Sequence, residues 1–262
     1  FSKAYQLVLR INKTHLSTSI IEITKLSQEL KSIKSKLKEN LVVRNGIFRG
    51  MIYYNPVAAG SAFYPKILGS YEKEIGNIIK NLIKRDYEII VDIGCAEGYY
   101  AVGFARLFRN KPTKIVAFDI DKSARSLCSL NAKTNSVKIE IKEFCDSKKL
   151  EKLCNKKYSL IFIDAEGYEL KILNKNTINK LKHCDFLVES HDFININSTE
   201  YLINSFENTH NIKIIKSKDD ISKAYEYKFS ELENLHLKTK YELLREQRPT
   251  IMKWIYAESK SN

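Results

Sequence analysis

The stretch from Tyr87 to Phe108 constrains the fold of this chain more than any other. Residues 91–98 read Val-Asp-Ile-Gly-Cys-Ala-Glu-Gly and join the end of an apolar run to a turn bracketed by glycines, and then to a helix. Upstream, Tyr87–Ile93 is expected to be a short buried strand through Ile89, Ile90, Val91 and Ile93. Downstream, Tyr99, Val102, Ala105 and Phe108 recur at helical spacing. Backbone N–H groups at such a helix start point at whatever sits over the turn. Gly94 and Gly98 lack the Cβ that would disfavour a positive φ or keep a ligand off the backbone. The unit is built to hold a nucleotide-like cofactor.

Spacing narrows the choice. A dinucleotide fingerprint, Gly-x-Gly-x-x-Gly, seats a pyrophosphate on the helix N-terminus, and here Ala96 and Tyr99 occupy its second and third glycine positions. Asp92 ahead of a Gly-x-x-x-Gly turn fits S-adenosylmethionine better: the glycines admit the methionyl group while the acid braces the loop and the ammonium side. A second strand, Lys114–Phe118, ends at Asp119, whose carboxylate is suited to both ribose hydroxyls. Asp121 suits the N-cap of the following helix. Glu97, inside the turn, is a further partner for cofactor hydroxyls or the amino group. A third strand, Val137–Phe144, leads to Asp146, which either accepts from an adenine amine or caps the next helix.

With these pieces in place the chain resembles the class I S-adenosylmethionine-dependent methyltransferases, and among them the FkbM-like family of mostly small-molecule and glycan O-methyltransferases. The resemblance rests on Asp92-Ile93-Gly94-Cys95-Ala96-Glu97-Gly98-Tyr99, on Ala117-Phe118-Asp119, and on Ile163-Asp164-Ala165-Glu166-Gly167-Tyr168-Glu169; it spans residues 86 to 192. One departure is Asp119, where the family often has Glu, which shortens the reach without changing the chemistry. The resemblance implies a Rossmann-like α/β domain over 86–262, with a seven-stranded, mostly parallel sheet whose last strand is antiparallel. It implies S-adenosylmethionine as cofactor, with Asp92, Gly94, Cys95, Glu97, Gly98, Asp119, Ile120, Asp146 and Asp164 on its side of the site.

The remaining strands are expected at Leu160–Ile163, Phe186–Val188, Asn211–Lys216 and Ile251–Glu258. Residues 219–248 are long for a loop; helices there would form another wall of the acceptor pocket, and Lys240, Arg245 and Arg248 would meet an anionic substrate or lie exposed. Residues 41–85 mix glycine, aromatics and single charges and read as a cover on the substrate side, with Tyr71 and Glu72 opening a helix that runs to Lys84. Residues 1–40 differ again. Leu16, Ile20, Ile23, Leu26, Leu30, Ile33 and Leu37 recur at steps of three or four without an intervening Gly or Pro, the pattern of a long amphipathic helix. It either forms a homodimer through residues 16–37 as a coiled coil or packs on its own domain. A membrane-surface helix is disfavoured by the lack of bulky aromatics on its apolar face.

A chain of 262 residues with 44% hydrophobic content can bury a full α/β core, and no apolar run reaches the ~18 residues a membrane span needs. No signal peptide is visible, although Phe1 stands where a Met would start a chain. The five cysteines are scattered and never Cys-x-x-Cys, which fits reduced thiols in a cytoplasmic protein rather than a disulfide or zinc framework. The net charge of +13 suits a polyanionic partner, or equally a lysine-rich coding bias with solvated faces.

Methyl transfer to an alcohol requires alignment of the acceptor and removal of a proton. In open α/β sheets ligands lie beyond the carboxyl ends of the strands, which directs attention to Asp164 and Glu166 after the fourth strand and to Glu189, His191 and Asp192 around the end of the fifth. His191 is the expected general base, an imidazole substantially neutral at pH 7 and oriented by a carboxylate. Asp164 and Glu189 join it as catalytic candidates, and Glu166, Tyr71 and Tyr100 are the expected substrate contacts. The same cluster also reads as a divalent cation site of Asp164, Glu189 and His191, although no tight ligand spacing demands a metal. The favoured expectation is an O-methyltransferase acting on a hydroxyl of a sugar, glycan or related small metabolite, anionic or not. A nucleic-acid (RNA) methyltransferase using the basic surface is the alternative, disfavoured because Asp164-Ala165-Glu166-Gly167 stands where base-methylating enzymes carry an Asn-Pro-Pro-Tyr-like motif. A non-catalytic S-adenosylmethionine-binding scaffold is the third.

Overall fold

The computed structural model describes residues 22–261. Strands β1 (Ile89–Ile93), β2 (Lys114–Phe118), β3 (Glu140–Lys142), β4 (Ser159–Ile163), β5 (Asp185–Ser190), β6 (His210–Lys216) and β7 (Lys253–Ser259) form one sheet in the order β3-β2-β1-β4-β5-β7-β6. Strand β7 runs antiparallel to both of its neighbours, and the other six share one direction. The central strands β1 and β4 are buried along their whole length. They are continuous apolar runs because helices cover both faces of a parallel sheet.

Alternate residues of each strand serve different layers. Ile89, Val91 and Ile93 enter a core shared with α6 (Ser147–Cys154), α8 (Lys175–Lys180) and α9 (Ser198–Phe206). Ile90 points the other way, into a larger core with α4 (Tyr99–Leu107), residues 37–82 and α11 (Leu237–Leu244). That second layer is rich in rings. Phe48 meets Tyr99, Tyr100 and Phe104 edge-on at 5.1, 5.6 and 6.0 Å, and Tyr100 leads through Phe162 at 4.2 Å to Trp254, 5.0 Å further on. At the amino ends of the strands, buried Asp185 accepts from Tyr87 and Tyr158 hydroxyls and from Arg85, which seals that edge of the sheet.

Three expectations are revised. The third strand shrinks from Val137–Phe144 to Glu140–Lys142, because the Val137 N–H instead bonds the Ala132 carbonyl to close α5 (Lys122–Thr134), and only β2 is available as a partner. The helix expected from Tyr71 becomes a 3-10 turn, Lys73–Ile75, followed by α3 (Gly76–Leu82), because Glu72 adopts φ 47°, which no right-handed helix accommodates. Of the first helix, residues 22–39 are helical (α1), while Leu16 and Ile20 lie outside the described residues. Leu30, Ile33 and Leu37 pack on the larger core, and Glu29 accepts from Thr239 and the His236 N–H, so this part docks on its own domain. Among the described residues no helix is long and apolar enough to cross a membrane, and all five cysteines are buried and free.

The docking of residues 41–68 on α4 depends on one missing methyl. A Cβ at Gly103 would lie 2.4 Å from the Phe48 ring. Gly103→Ala is therefore expected to displace that ring and destabilise the protein by about 1–3 kcal/mol, as overpacking of a filled core does; a denaturant melt against wild type measures it.

Candidate active site

The carboxyl ends of β1, β2, β4 and β5 open into a cavity of about 720 Å³. On one side, the chain leaves β1 at Gly94 with φ 83°, and a Cβ there would lie 1.8 Å from the Asp164 carbonyl oxygen. The turn passes the end of β4 this closely only as glycine. Asp119, at the tip of β2, accepts the N–H groups of Ala96 and Asp121, each at 2.8 Å, and so ties the turn after β1 to the end of β2. Asp121 caps α5 through the Ser123 N–H at 2.7 Å. Ile120 and Phe144 stand on the same wall, exposed by 77% and 41%. Gly94, Cys95, Asp119 and Ile120 thus line the cavity together.

Other expected cofactor residues lie elsewhere. Asp92 is fully buried on the α4 face of β1, and neither carboxylate oxygen has a hydrogen-bond partner among the described residues. Burial first, and then the Asp164 and Asp119 carboxylates, push it well above the usual carboxylate range. Glu97 turns away from the cavity to hold the cover. It accepts from buried Lys66 at 2.6 Å, the Ala59 N–H at 2.9 Å and the Tyr53 hydroxyl at 3.1 Å. Gly98, at φ 90°, packs on Cys128, whose Sγ would meet a Cβ at 2.6 Å. Asp146 takes the second of its two readings and caps α6 through the Lys149 N–H at 2.7 Å.

The opposite side of the cavity is acidic. Asp164 follows β4, Glu189 is the next-to-last residue of β5, and His191 follows that strand with its Nδ1 2.9 Å from Glu169. Its Nε2 faces Asp164 at 3.4 Å, Glu166 at 3.5 Å and Glu189 at 3.7 Å. Behind them Arg248 binds Glu72, Glu189 and Glu246 at once, the last at 2.8 Å, and the Tyr100 hydroxyl donates a hydrogen bond to Glu72. Buried Lys223, in α10 (Asp220–Glu226), meets Glu246 at 2.6 Å. Tyr71 lines the cavity between Lys66 and Arg248, with their charges 4.7 and 5.7 Å from its ring centre. Asp192 points away, accepting the Thr199 N–H at 2.8 Å and pairing with Lys253 at 2.7 Å.

These contacts set the charges. Burial opposes protonation of His191, but Asp164 and Glu169 outweigh it and push the imidazole up to about 10. In this arrangement the ring carries its proton at neutral pH, where the sequence suggests a neutral one. Burial acts to raise Asp164 as well, yet His191 holds it below the usual range. Glu189 rises well above its ordinary value through burial, with Asp164 and then Glu72 adding to the effect. Burial lifts Glu72 to about 7, with Arg248 acting against it.

The sequence gives no individual role to Lys66 or Glu246, places Glu72 only at the opening of a helix, gives Glu169 no role beyond its motif, and leaves Arg248 between substrate contact and exposed surface. Only Glu169 had a local signal, its place two residues after Gly167.

No protein-family model matches the chain, and no curated protein matches its sequence. Among solved structures the chain is similar to a precorrin-8w decarboxylase from Methanobacterium thermoautotrophicum, 14% identical over 69% of this chain and 87% of that one with a TM-score of 0.48. It is also similar to a precorrin-6y C5,15-methyltransferase from Geobacter metallireducens, at 10% identity over 72% and 92% with a TM-score of 0.45. A third is an rRNA methylase from Streptococcus thermophilus, at 12% identity over 72% and 97% with a TM-score of 0.46. Likeness at this level is one of chain trace alone.

Lys66 and Glu97 are both buried at 2.6 Å separation, so removing one leaves the other an uncompensated charge. Lys66→Met is expected to cost about 3–5 kcal/mol on that account, and Lys66→Met with Glu97→Gln to recover part of it; chemical denaturation of the two variants checks the coupling.

Proposed function

We propose that this protein transfers a methyl group from S-adenosylmethionine to a hydroxyl of a small acceptor, a sugar, a glycan end or a related metabolite. The observation that carries the reading is that one cavity brings a nucleoside-type wall, Gly94, Asp119, Ile120 and Phe144, against an acid and imidazole wall, Asp164, Glu189 and His191. The first wall suits the cofactor: Asp119 keeps lone pairs for ribose hydroxyls beyond the two backbone bonds it accepts, the apolar pair suits an adenine ring, and Gly94 leaves room at the backbone. When bound, S-adenosylmethionine would supply an electrophilic methyl carbon on a sulfonium whose sulfur is the leaving group.

The second wall supplies the proton transfer. Glu189 lines the cavity, and burial raises its proton affinity, which strengthens it as an acceptor for the hydroxyl proton. Arg248 fixes one of its oxygens and leaves the other facing His191 and the cavity. His191, charged and bonded to Glu169, keeps Asp164 ionised and oriented. Tyr71 and Glu166 stand where an acceptor enters. The FkbM-like resemblance supports an oxygen acceptor of this class.

The charge of +13 favours a second reading, methylation of RNA through a basic surface. The carboxylates Glu166, Asp121 and Glu143 along the cavity disfavour a phosphodiester there. Calorimetry is expected to show S-adenosylmethionine and its demethylated product binding, with Asp119→Ala weakening both by at least about tenfold, the worth of a charge-assisted hydrogen bond. Mass spectrometry after incubation with sugar nucleotides, glycans and RNA then identifies the acceptor. On the acceptor so found, Glu189→Gln is expected to lower turnover by about 10²–10⁴-fold with cofactor affinity nearly intact. Absence of cofactor binding by folded protein overturns the proposal; binding without turnover of any acceptor leaves the scaffold reading.

A further inference from the structure

We propose that Asp164, Glu166 and His191 form a binding site for one divalent first-row cation, Mn²⁺ or Zn²⁺, with Glu169 as the outer partner that orients the histidine. His191 is 1% exposed, and its Nδ1 is committed to Glu169 at 2.9 Å. Its Nε2 points into the cavity, where the oxygens of Asp164 and Glu166 lie 3.4 and 3.5 Å away, and a bound cation takes the place of the proton this nitrogen carries without metal, releasing it to solvent. Those separations exceed the 2.7–3.2 Å of an ordinary N–H···O bond. They match the spacing between ligands around a shared tetrahedral ion, which for bonds of about 2.1 Å is about 3.4 Å. Ligand atoms of Asp164, Glu166 and His191 all lie within 4.8 Å of one another.

The orientation of the ring supports the same conclusion. A histidine that gives its other nitrogen to a carboxylate is the usual arrangement around a metal, because that bond fixes the tautomer and raises the basicity of the coordinating nitrogen. Glu169 is fully buried and accepts the Gly167 N–H through its second oxygen at 2.9 Å, so it is itself held in place. The local charge points the same way. Six carboxylates, Glu72, Asp164, Glu166, Glu169, Glu189 and Glu246, gather around three basic groups, His191, Lys223 and Arg248, and the Arg248 and Lys223 contacts are directed at Glu72, Glu189 and Glu246. Among the described residues no ion pair ties Asp164 or Glu166 to Arg248 or Lys223, although Asp164 lies beside Glu72 and Glu189 as well as the histidine. A mixed nitrogen and oxygen set with two carboxylates selects Mn²⁺ or Zn²⁺ over Mg²⁺ or Ca²⁺, which prefer oxygen throughout. Relative to the set read from sequence, Glu166 replaces Glu189, which lies 3.7 Å from Nε2 and is already bound by Arg248.

Binding of the ion rests on this geometry alone. Its consequence for chemistry, acidification of an acceptor hydroxyl that then yields its proton to Glu189, rests on the methyl-transfer reading. The test therefore omits S-adenosylmethionine. The full chain, stripped with a chelator and dialysed, is titrated with Mn²⁺ by electron paramagnetic resonance and with Zn²⁺ by calorimetry. Expected are one saturable site per chain, a nitrogen modulation on bound Mn²⁺ in pulsed spectra that His191→Ala abolishes, and at least tenfold weaker binding in Asp164→Asn, Glu166→Gln and Glu169→Gln. Glu166 has a side chain 74% exposed, so Glu166→Gln keeps the test decisive even if a buried variant fails to fold. No saturable binding up to millimolar Mn²⁺ and Zn²⁺, or binding undiminished by Glu166→Gln and Asp164→Asn, overturns the proposal. Either result stands apart from the cofactor titration, which tests the methyl-transfer reading by itself.

Discussion

The guanidinium of Arg248 is the contact on which the rest of the cavity depends. It joins Glu72 from the cover, Glu189 from the end of β5 and Glu246 from the segment ahead of β7, three parts of the chain that share no local structure. Burying carboxylates together costs several kcal/mol for each charge unless a cation in good geometry compensates. A planar group with several donors does this for three acids at once, which a lysine ammonium does with less directional control. The acid wall is thus held rigid by a side chain that itself barely reaches solvent, and Glu189 presents its free oxygen from a fixed position.

A second buried ion pair performs the matching task on the cover. Lys66 meets Glu97 beneath Tyr71 and Tyr99, with its charge 4.7 and 5.3 Å from their ring centres. Glu97 also takes the Ala59 N–H and the Tyr53 hydroxyl, while Asn131 and Asn135 of α5 region bind the backbone of Tyr54 and Ile52. The cover is therefore fastened to the turn after β1 and to the helix after β2, which lie on either side of Asp119 at the cavity. The two sides of the cavity are one mechanical unit.

Much of the sheet was legible because its signals are local. The apolar run through Ile89, Ile90 and Val91, the glycine at 94 and the acid at 119 each follow from a few adjacent residues, and the antiparallel insertion of the last strand followed from the resemblance. What escaped depends on distance along the chain. Glu72 and Arg248 meet across 176 residues, and nothing near either one announces the other. Glu97 shows a related dependence on distance: an acid in a nucleotide-type turn looks free for a ligand until the buried lysine from the cover that pairs with it is known. The charge state of His191 likewise required Glu169, whose carboxylate turns inward from a short helix, α7 (Glu169–Ile172), that periodicity alone does not reveal.

The insertion of β7 between β5 and β6 has a consequence for the order in which the molecule is made. A ribosome releases the segment carrying Glu246, Arg248 and Trp254 after all the other strands, so the edge of β5 waits unpaired and the carboxylates of the growing chain wait uncompensated. Until that segment threads into its slot, Glu72 and Glu189 lack the guanidinium that pairs with them both.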